Sequence, residues 1–173
     1  KEQLTPDYSE ADRASWLLSG RYGLEELGEK THIPTPILSA LIKEGILRPI
    51  DPESGTFTNA DVALGRLGLE LLGTGIALPS LLSLSKQFIR AIDPIVSEAV
   101  ELFDESIRSD GASDDEVVER FDEAFELVTR LVSLYFQRTL AATALAQVEG
   151  SPNRSLVKLV HDRIDAEEES SQS

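Results

Sequence analysis

The sequence predicts an all-α fold interrupted by one small β-hairpin, and three observations predict it. Apolar residues recur every three or four positions through most of the chain, which is the spacing of a helix face rather than of a strand. Start and stop signals in the form of Ser, Thr, Pro and Gly bracket these stretches at helical lengths. Only one segment, Ile46 to Phe57, sets short apolar flanks around turn chemistry.

The first helix is predicted over Ser9 to Ser19. Ser9 offers an N-cap with Asp12 three residues on, Gly20 follows the end, and Trp16, Leu17 and Leu18 give it an apolar face to dock. Leu24 to Lys30 reads as a second helix, broken by His32-Ile33-Pro34. Thr35 then supplies an N-cap with Pro36 at the first helical position, and the third helix runs to Glu44 and stops at Gly45. Ile37, Leu38, Leu41 and Ile42 form its apolar stripe. Two short helices across a tight turn make a helix-turn-helix pattern.

Ile46-Leu47-Arg48-Pro49-Ile50 and Thr56-Phe57 flank Asp51-Pro52-Glu53-Ser54-Gly55. The middle stretch is turn chemistry, so the segment reads as a hairpin, or wing. Thr58 with Asp61 opens another helix in capping-box style, and that helix ends at Gly73-Thr74-Gly75. Pro79 starts a further helix to about Arg90. Ile92, Ile95, Val96, Ala99, Val100, Phe103 and Ile107 continue at helical spacing. After a break at Asp110-Gly111-Ala112, Ser113 and Glu116 form a second capping box. Val118, Phe121, Phe125, Val128, Val132 and Tyr135 then alternate in steps of three and four, a heptad seam in a helix reaching Glu149 and on the order of 50 Å long. Ser151-Pro152 opens a last amphipathic helix.

These elements divide the chain into four parts: residues 1–20 as an N-terminal extension, 21–90 as a winged helix-turn-helix domain, 91–164 as a helical dimerisation or effector domain, and 165–173 as an acidic, serine-rich tail expected to be disordered. The chain opens on Lys1 rather than Met, so further sequence beyond either end is compatible with it.

Composition narrows the function classes. The 173 residues contain no Cys, which excludes disulfides and thiolate metal sites. No stretch approaches the roughly 20 apolar residues of a membrane helix, and no signal peptide is read at the start. A cytoplasmic location is the default. The net charge is −15, but it is unevenly placed: residues 21–90 carry seven basic and eight acidic side chains, and residues 91–173 carry seven and nineteen. The acidity that would repel nucleic acid therefore sits in the C-terminal half.

Nothing points to catalysis. His32 and His161 are the only histidines and fall in unrelated segments, so neither is read as a metal ligand and no base is positioned beside a nucleophile. Gly65-Arg66-Leu67-Gly68 and Gly73-Thr74-Gly75 follow no strand and do not make a phosphate loop. The carboxylates of 98–126 lie on helical surfaces, where solvation explains them. No cofactor is expected, and the chain reads as a non-enzyme.

Residues 22–84 resemble the DNA-binding domain of the MerR family of bacterial transcription regulators. The stretches that carry the similarity are Tyr22-Gly23-Leu24-Glu25-Glu26-Leu27, Ile33-Pro34-Thr35, Lys43-Glu44-Gly45-Ile46-Leu47-Arg48-Pro49, Phe57-Thr58-Asn59-Ala60-Asp61-Val62 and Leu72-Gly73-Thr74-Gly75-Ile76-Ala77-Leu78, in matching order and spacing. Residues 91–149 resemble the helical C-terminal region of actinobacterial members of that group, through Glu98-Ala99-Val100-Glu101-Leu102-Phe103 and Tyr135-Phe136-Gln137-Arg138-Thr139-Leu140. The layout is also similar to the N-terminal regulatory domain of some actinobacterial adenylate cyclases. The resemblance implies a symmetric dimer that lays the helix at 35–44 in the major groove. Thr35, Ser39, Lys43, Arg48 and Arg66 would be the DNA contacts, with Arg21 and Lys30 as secondary candidates for phosphate. Pro36 and Ser39 stand where the family usually has arginines, Ala40 and Leu41 where it has a tyrosine pair, and Gly55 and Thr56 where its wing carries arginine.

Two functions follow from these features. One is a dimeric DNA-binding transcription regulator. The other is a dimerisation module that kept the fold, lost DNA binding and controls an attached or partner enzyme. The seam from Val118 to Tyr135 is read either as a dimer contact or as packing within one chain. Phe121, Phe125, Tyr135 and Phe136 are read either as ordinary core or as a pocket for a small apolar effector.

Overall fold

A computed structural model describes residues 15–108, 113–150 and 158. Residues 15–18 are helical (α1), followed by α2 (Leu24–Thr31), α3 (Thr35–Lys43), α4 (Asn59–Gly73), α5 (Leu78–Arg108) and α6 (Asp114–Glu149). The chain is mostly helical. No helix among the described residues is long and apolar enough to cross a membrane. Ser9, Asp12, the break at 110–112, the tail at 165–173 and, apart from Lys158, the helix expected after Pro152 lie outside the described residues.

The chain divides into two compact units, Lys1–Ala124 and Phe125–Ser173. The core of the first unit is small and comes from four buried residues, Leu27 of α2, Ile33 of the following turn, Leu38 of α3 and Phe57. Leu24, Leu41, Ile42, Leu47 and Val62 pack around them. α2 is the central element, packing against both α3 and α4. Thr31 at its end is fully buried, and its hydroxyl is satisfied twice: it donates to the Leu27 carbonyl at 2.7 Å and accepts from the Ile33 amide at 3.3 Å. A buried hydroxyl with both functions filled costs little.

Helix ends follow the residues that encode them. α3 closes in a Schellman motif: Gly45 adopts φ +71°, its amide donates to the Ile42 carbonyl, and the Ile46 amide reaches back to Leu41. At the start of α3 the cap is Pro34, so Pro36 occupies the second helical position and not the first. α4 opens with the expected box, in which the Thr58 amide donates to Asp61 Oδ2 at 2.7 Å. The Ser113 amide donates to Glu116 Oε2 at 2.9 Å at the start of α6, again as expected.

Two expectations are revised. The hairpin at 46–57 is reduced to isolated bridges, Asp51 with Thr56 and Tyr22 with Phe57, and no strand forms among the described residues. The cause is competition for donors. The Ile46 and Leu47 amides are both committed to the Leu41 carbonyl, and both polar groups of Phe57 are paired with Tyr22. Pro49 has no amide hydrogen to give. From this stretch it is the Ile50 amide that reaches the Thr56 carbonyl, at 2.9 Å. The second revision concerns residues 78–108, which form one 31-residue helix with Pro94 inside it. The boundary read at 90/91 falls within this helix.

Candidate nucleic-acid interface

α3 is two-faced. Leu38 is buried against α2, and Leu41 and Ile42 pack on the same core. Pro36, Ser39, Ala40 and Lys43, spaced three and four apart on the opposite side, are exposed. Thr35 is half-buried at the mouth of an open groove that Glu25, Gly28, Glu29, His32, Ile33 and Pro34 also line. Ser39 and Lys43 therefore share the outward face, and Thr35 stands at its edge.

The two arginines nominated beside this helix are already engaged. Arg48 follows the α3 end; its Nη1 lies 2.8 Å from Asp93 Oδ2 on α5, and its Nε donates to the Gly45 carbonyl at 3.3 Å. Arg66 on α4 donates from Nε to the Lys30 carbonyl at 3.0 Å, near the C-terminal end of α2. A cation there satisfies a carbonyl that the helix leaves without a donor. The secondary candidates are occupied too. Arg21 donates to the Leu18 and Gly20 carbonyls, and Lys30 lies 3.6 Å from Glu26 and 4.5 Å from the Tyr22 ring centre. Lys43 makes no ion pair among the described residues.

Beside Arg48–Asp93 runs a second ion pair, Glu44 with Lys86. The Lys86 hydrogen bond and charge hold the Glu44 carboxyl below its usual pKa. Both pairs join the end of α3 to α5. Sequence reasoning missed Lys86 and Asp93, since their partners lie more than forty residues away and no local pattern marks them. It also missed Asn59. That side chain donates to the Trp16 carbonyl at 3.1 Å and to Ser19 Oγ at 2.9 Å, and accepts from the Tyr22 hydroxyl at 2.7 Å. It fastens residues 16–22 to the start of α4.

The turn at 51–56 is shaped by Asp51, which accepts from the Glu53 amide and the Ser54 hydroxyl at 2.9 and 2.6 Å. The Ser54 hydroxyl, more than any cation, lowers its pKa. The loop offers carboxylates, and no basic side chain follows Arg48 before α4.

The predicted seam on α6 is largely in solvent. Val118, Phe121, Val132 and Tyr135 are exposed, and Phe125 and Val128 are half-buried. Phe136 is exposed as well. On α5 a second row, not singled out from the sequence, is open along its length: Leu84, Phe88, Ala91, Ile95, Glu98 and Leu102, in steps of four and three. Leu84 is 64% exposed and Leu102 59%.

Among the described residues no group of three His, Asp or Glu side chains is placed to hold a metal ion. Comparison of the chain with protein-family models, with curated proteins and with solved structures finds no match.

Proposed function

We propose that the chain is a dimeric helix-turn-helix regulator of MerR-like type that engages DNA through the outward face of α3. One observation carries this reading. α3 is anchored by Leu38 while Pro36, Ser39, Ala40 and Lys43 face solvent, the disposition a helix needs to enter a major groove. The dimer part is supported by the exposed apolar residues Leu84, Phe88, Ile95 and Leu102 on α5 and Val132 and Tyr135 on α6, which exceed the scattered exposed leucines of an ordinary surface. A second copy would cover them by an isologous contact.

A second reading is favoured by the engagement of Arg48 and Arg66 and by the single unpaired cation on the α3 face. Phosphate contacts supply most non-specific affinity, and few are on offer. In that reading the same module pairs subunits and regulates an attached or partner enzyme without touching DNA.

One binding measurement separates the two. Purified protein is titrated against a fluorescent, mixed-sequence duplex of about 30 base pairs, long enough for two half-sites, at roughly 50 mM salt. The first reading requires saturable binding that Lys43→Glu weakens at least tenfold. Absence of binding by the wild-type protein rejects it and leaves the second.

A further inference from the structure

The Arg48–Asp93 pair lies just past the end of α3, the helix whose outward face the proposed reading lays against DNA. Arg48 lies just past the Schellman turn that ends α3, four residues beyond Glu44. Its guanidinium is half-exposed, and Asp93 Oδ2 fills one edge at 2.8 Å while the Gly45 carbonyl takes Nε. A carboxylate and a phosphate compete for the same guanidinium edge, because both present paired oxygens to its fork. Asp93 is half-exposed on the same surface, so its charge also faces any anion that approaches Arg48.

We infer that Asp93 is an intramolecular stand-in for phosphate that holds Arg48 and sets the DNA affinity of the α3 edge. The inference rests on the DNA-binding reading above. A phosphate that takes the Nη1 edge of Arg48 must displace Asp93 from it, and one that approaches the rest of the guanidinium meets the Asp93 carboxylate beside it. Both effects oppose binding. The neighbouring Glu44–Lys86 pair fastens the end of α3 to the same stretch of α5, so the competing carboxylate keeps its place relative to α3. Pro94 follows directly on Asp93 and takes away the amide that would bond the Arg90 carbonyl. α5 thus lacks one rung at the residue that carries the competitor, and any movement of the helix there changes how firmly Arg48 is held.

The test compares Asp93→Asn with Glu101→Gln, which removes the same charge from an exposed position on the same helix. Each is titrated with the fluorescent duplex over a range of salt. Exposed ion pairs are weak, so Asp93→Asn should tighten binding by about 2- to 5-fold and steepen the salt dependence by about one phosphate contact. Glu101→Gln should stay within about twofold of wild type. Adding Arg48→Gln to Asp93→Asn should cancel the gain. Equal binding by wild type and Asp93→Asn, or a gain that survives Arg48→Gln, overturns the inference and leaves the DNA reading standing. No binding by any variant at low salt overturns both.

Discussion

Gly65 of α4 faces Thr31 of α2 so closely that a Cβ placed on it would lie 2.8 Å from Thr31 Cγ2. Thr31 cannot rotate away cheaply, because its hydroxyl is bonded to the Leu27 carbonyl and the residue is fully buried. Ile33 Cδ1 closes the other side at 3.4 Å. Gly65→Ala should therefore destabilise the protein by about 1–2 kcal/mol, overpacking outweighing the better helix propensity of Ala. Adding Thr31→Ser removes Cγ2 and keeps the hydroxyl. The double variant should recover at least half of the loss in urea denaturation. Additive losses would mean that the two residues do not meet.

Asn59 bears on the N-terminal segment in the same way. It is the N-terminal residue of α4, and three side-chain bonds run from it to Trp16, Ser19 and Tyr22. Its own amide adds a fourth, to the Ser19 carbonyl at 2.9 Å. Asn59→Ala should loosen residues 16–19, with Tyr22 still paired to Phe57 through its backbone, at a cost of about 1–3 kcal/mol for the groups left unpaired. The chain has one tryptophan, so the emission of Trp16 reports this directly. A red shift without loss of helical circular dichroism is the expected outcome. An unchanged spectrum would show that the clamp does not hold the segment.

What was legible in the sequence was local. Thr58 with Asp61, Ser113 with Glu116 and Gly45 each mark a helix end through residues at most a few positions away, and the structure uses them in that way. The reduction of the hairpin has one local and one distant cause: the Ile46 and Leu47 amides are claimed by the Leu41 carbonyl in the turn that ends α3, and the Phe57 groups by Tyr22, thirty-five residues away. The helix starting at Pro79 is read from the sequence only to about Arg90, whereas α5 runs on through Pro94 to Arg108. Asp93, the residue whose helical conformation that proline disfavours, is fastened to Arg48, and nothing near residue 93 in the sequence announces this. Of the candidate contacts that the resemblance implied, Ser39 and Lys43 are exposed on the side of α3 opposite Leu38. The engagement of Arg48 and Arg66 depends on partners that only the tertiary fold brings near.

Acid should weaken the α3–α5 connection. Lys86 lowers the pKa of Glu44 from its usual 4.5. A depressed folded value means that the carboxylate contributes stability above pH 4.5 and loses it as pH falls through the lower folded value. Glu116 and Asp51 are shifted in the same direction by the amide and hydroxyl donors of Ser113 and of the 51–54 turn; the contribution of Glu116 also starts to fade below 4.5, and that of Asp51 only below 3.8. The melting temperature of Glu44→Gln should lie below that of wild type at pH 7 and converge with it near pH 3. High salt should narrow the gap at pH 7, because the pair is exposed. A gap that persists at pH 3 would assign the loss to packing instead of charge.

The seam on α6 gives the sharpest test of self-association. Val132 and Tyr135 are exposed along a helix of 36 residues. Their heptad positions match those of the half-buried Phe125 and Val128. A glutamate at a seam position places a like charge against its symmetry mate and removes apolar burial, which in a helix pair is worth a few kcal/mol. Val132→Glu should therefore convert a dimer to a monomer by light scattering after size exclusion. The melting temperature of wild type should rise with protein concentration, and that of the variant should not. Leu102→Glu asks the same of the open row on α5. If Leu102→Glu alone dissociates the protein, self-association runs through α5 and the α6 seam serves another contact. If neither substitution changes the mass because the wild-type protein is already monomeric, the dimer half of the proposed function fails, whatever the outcome of the DNA titration.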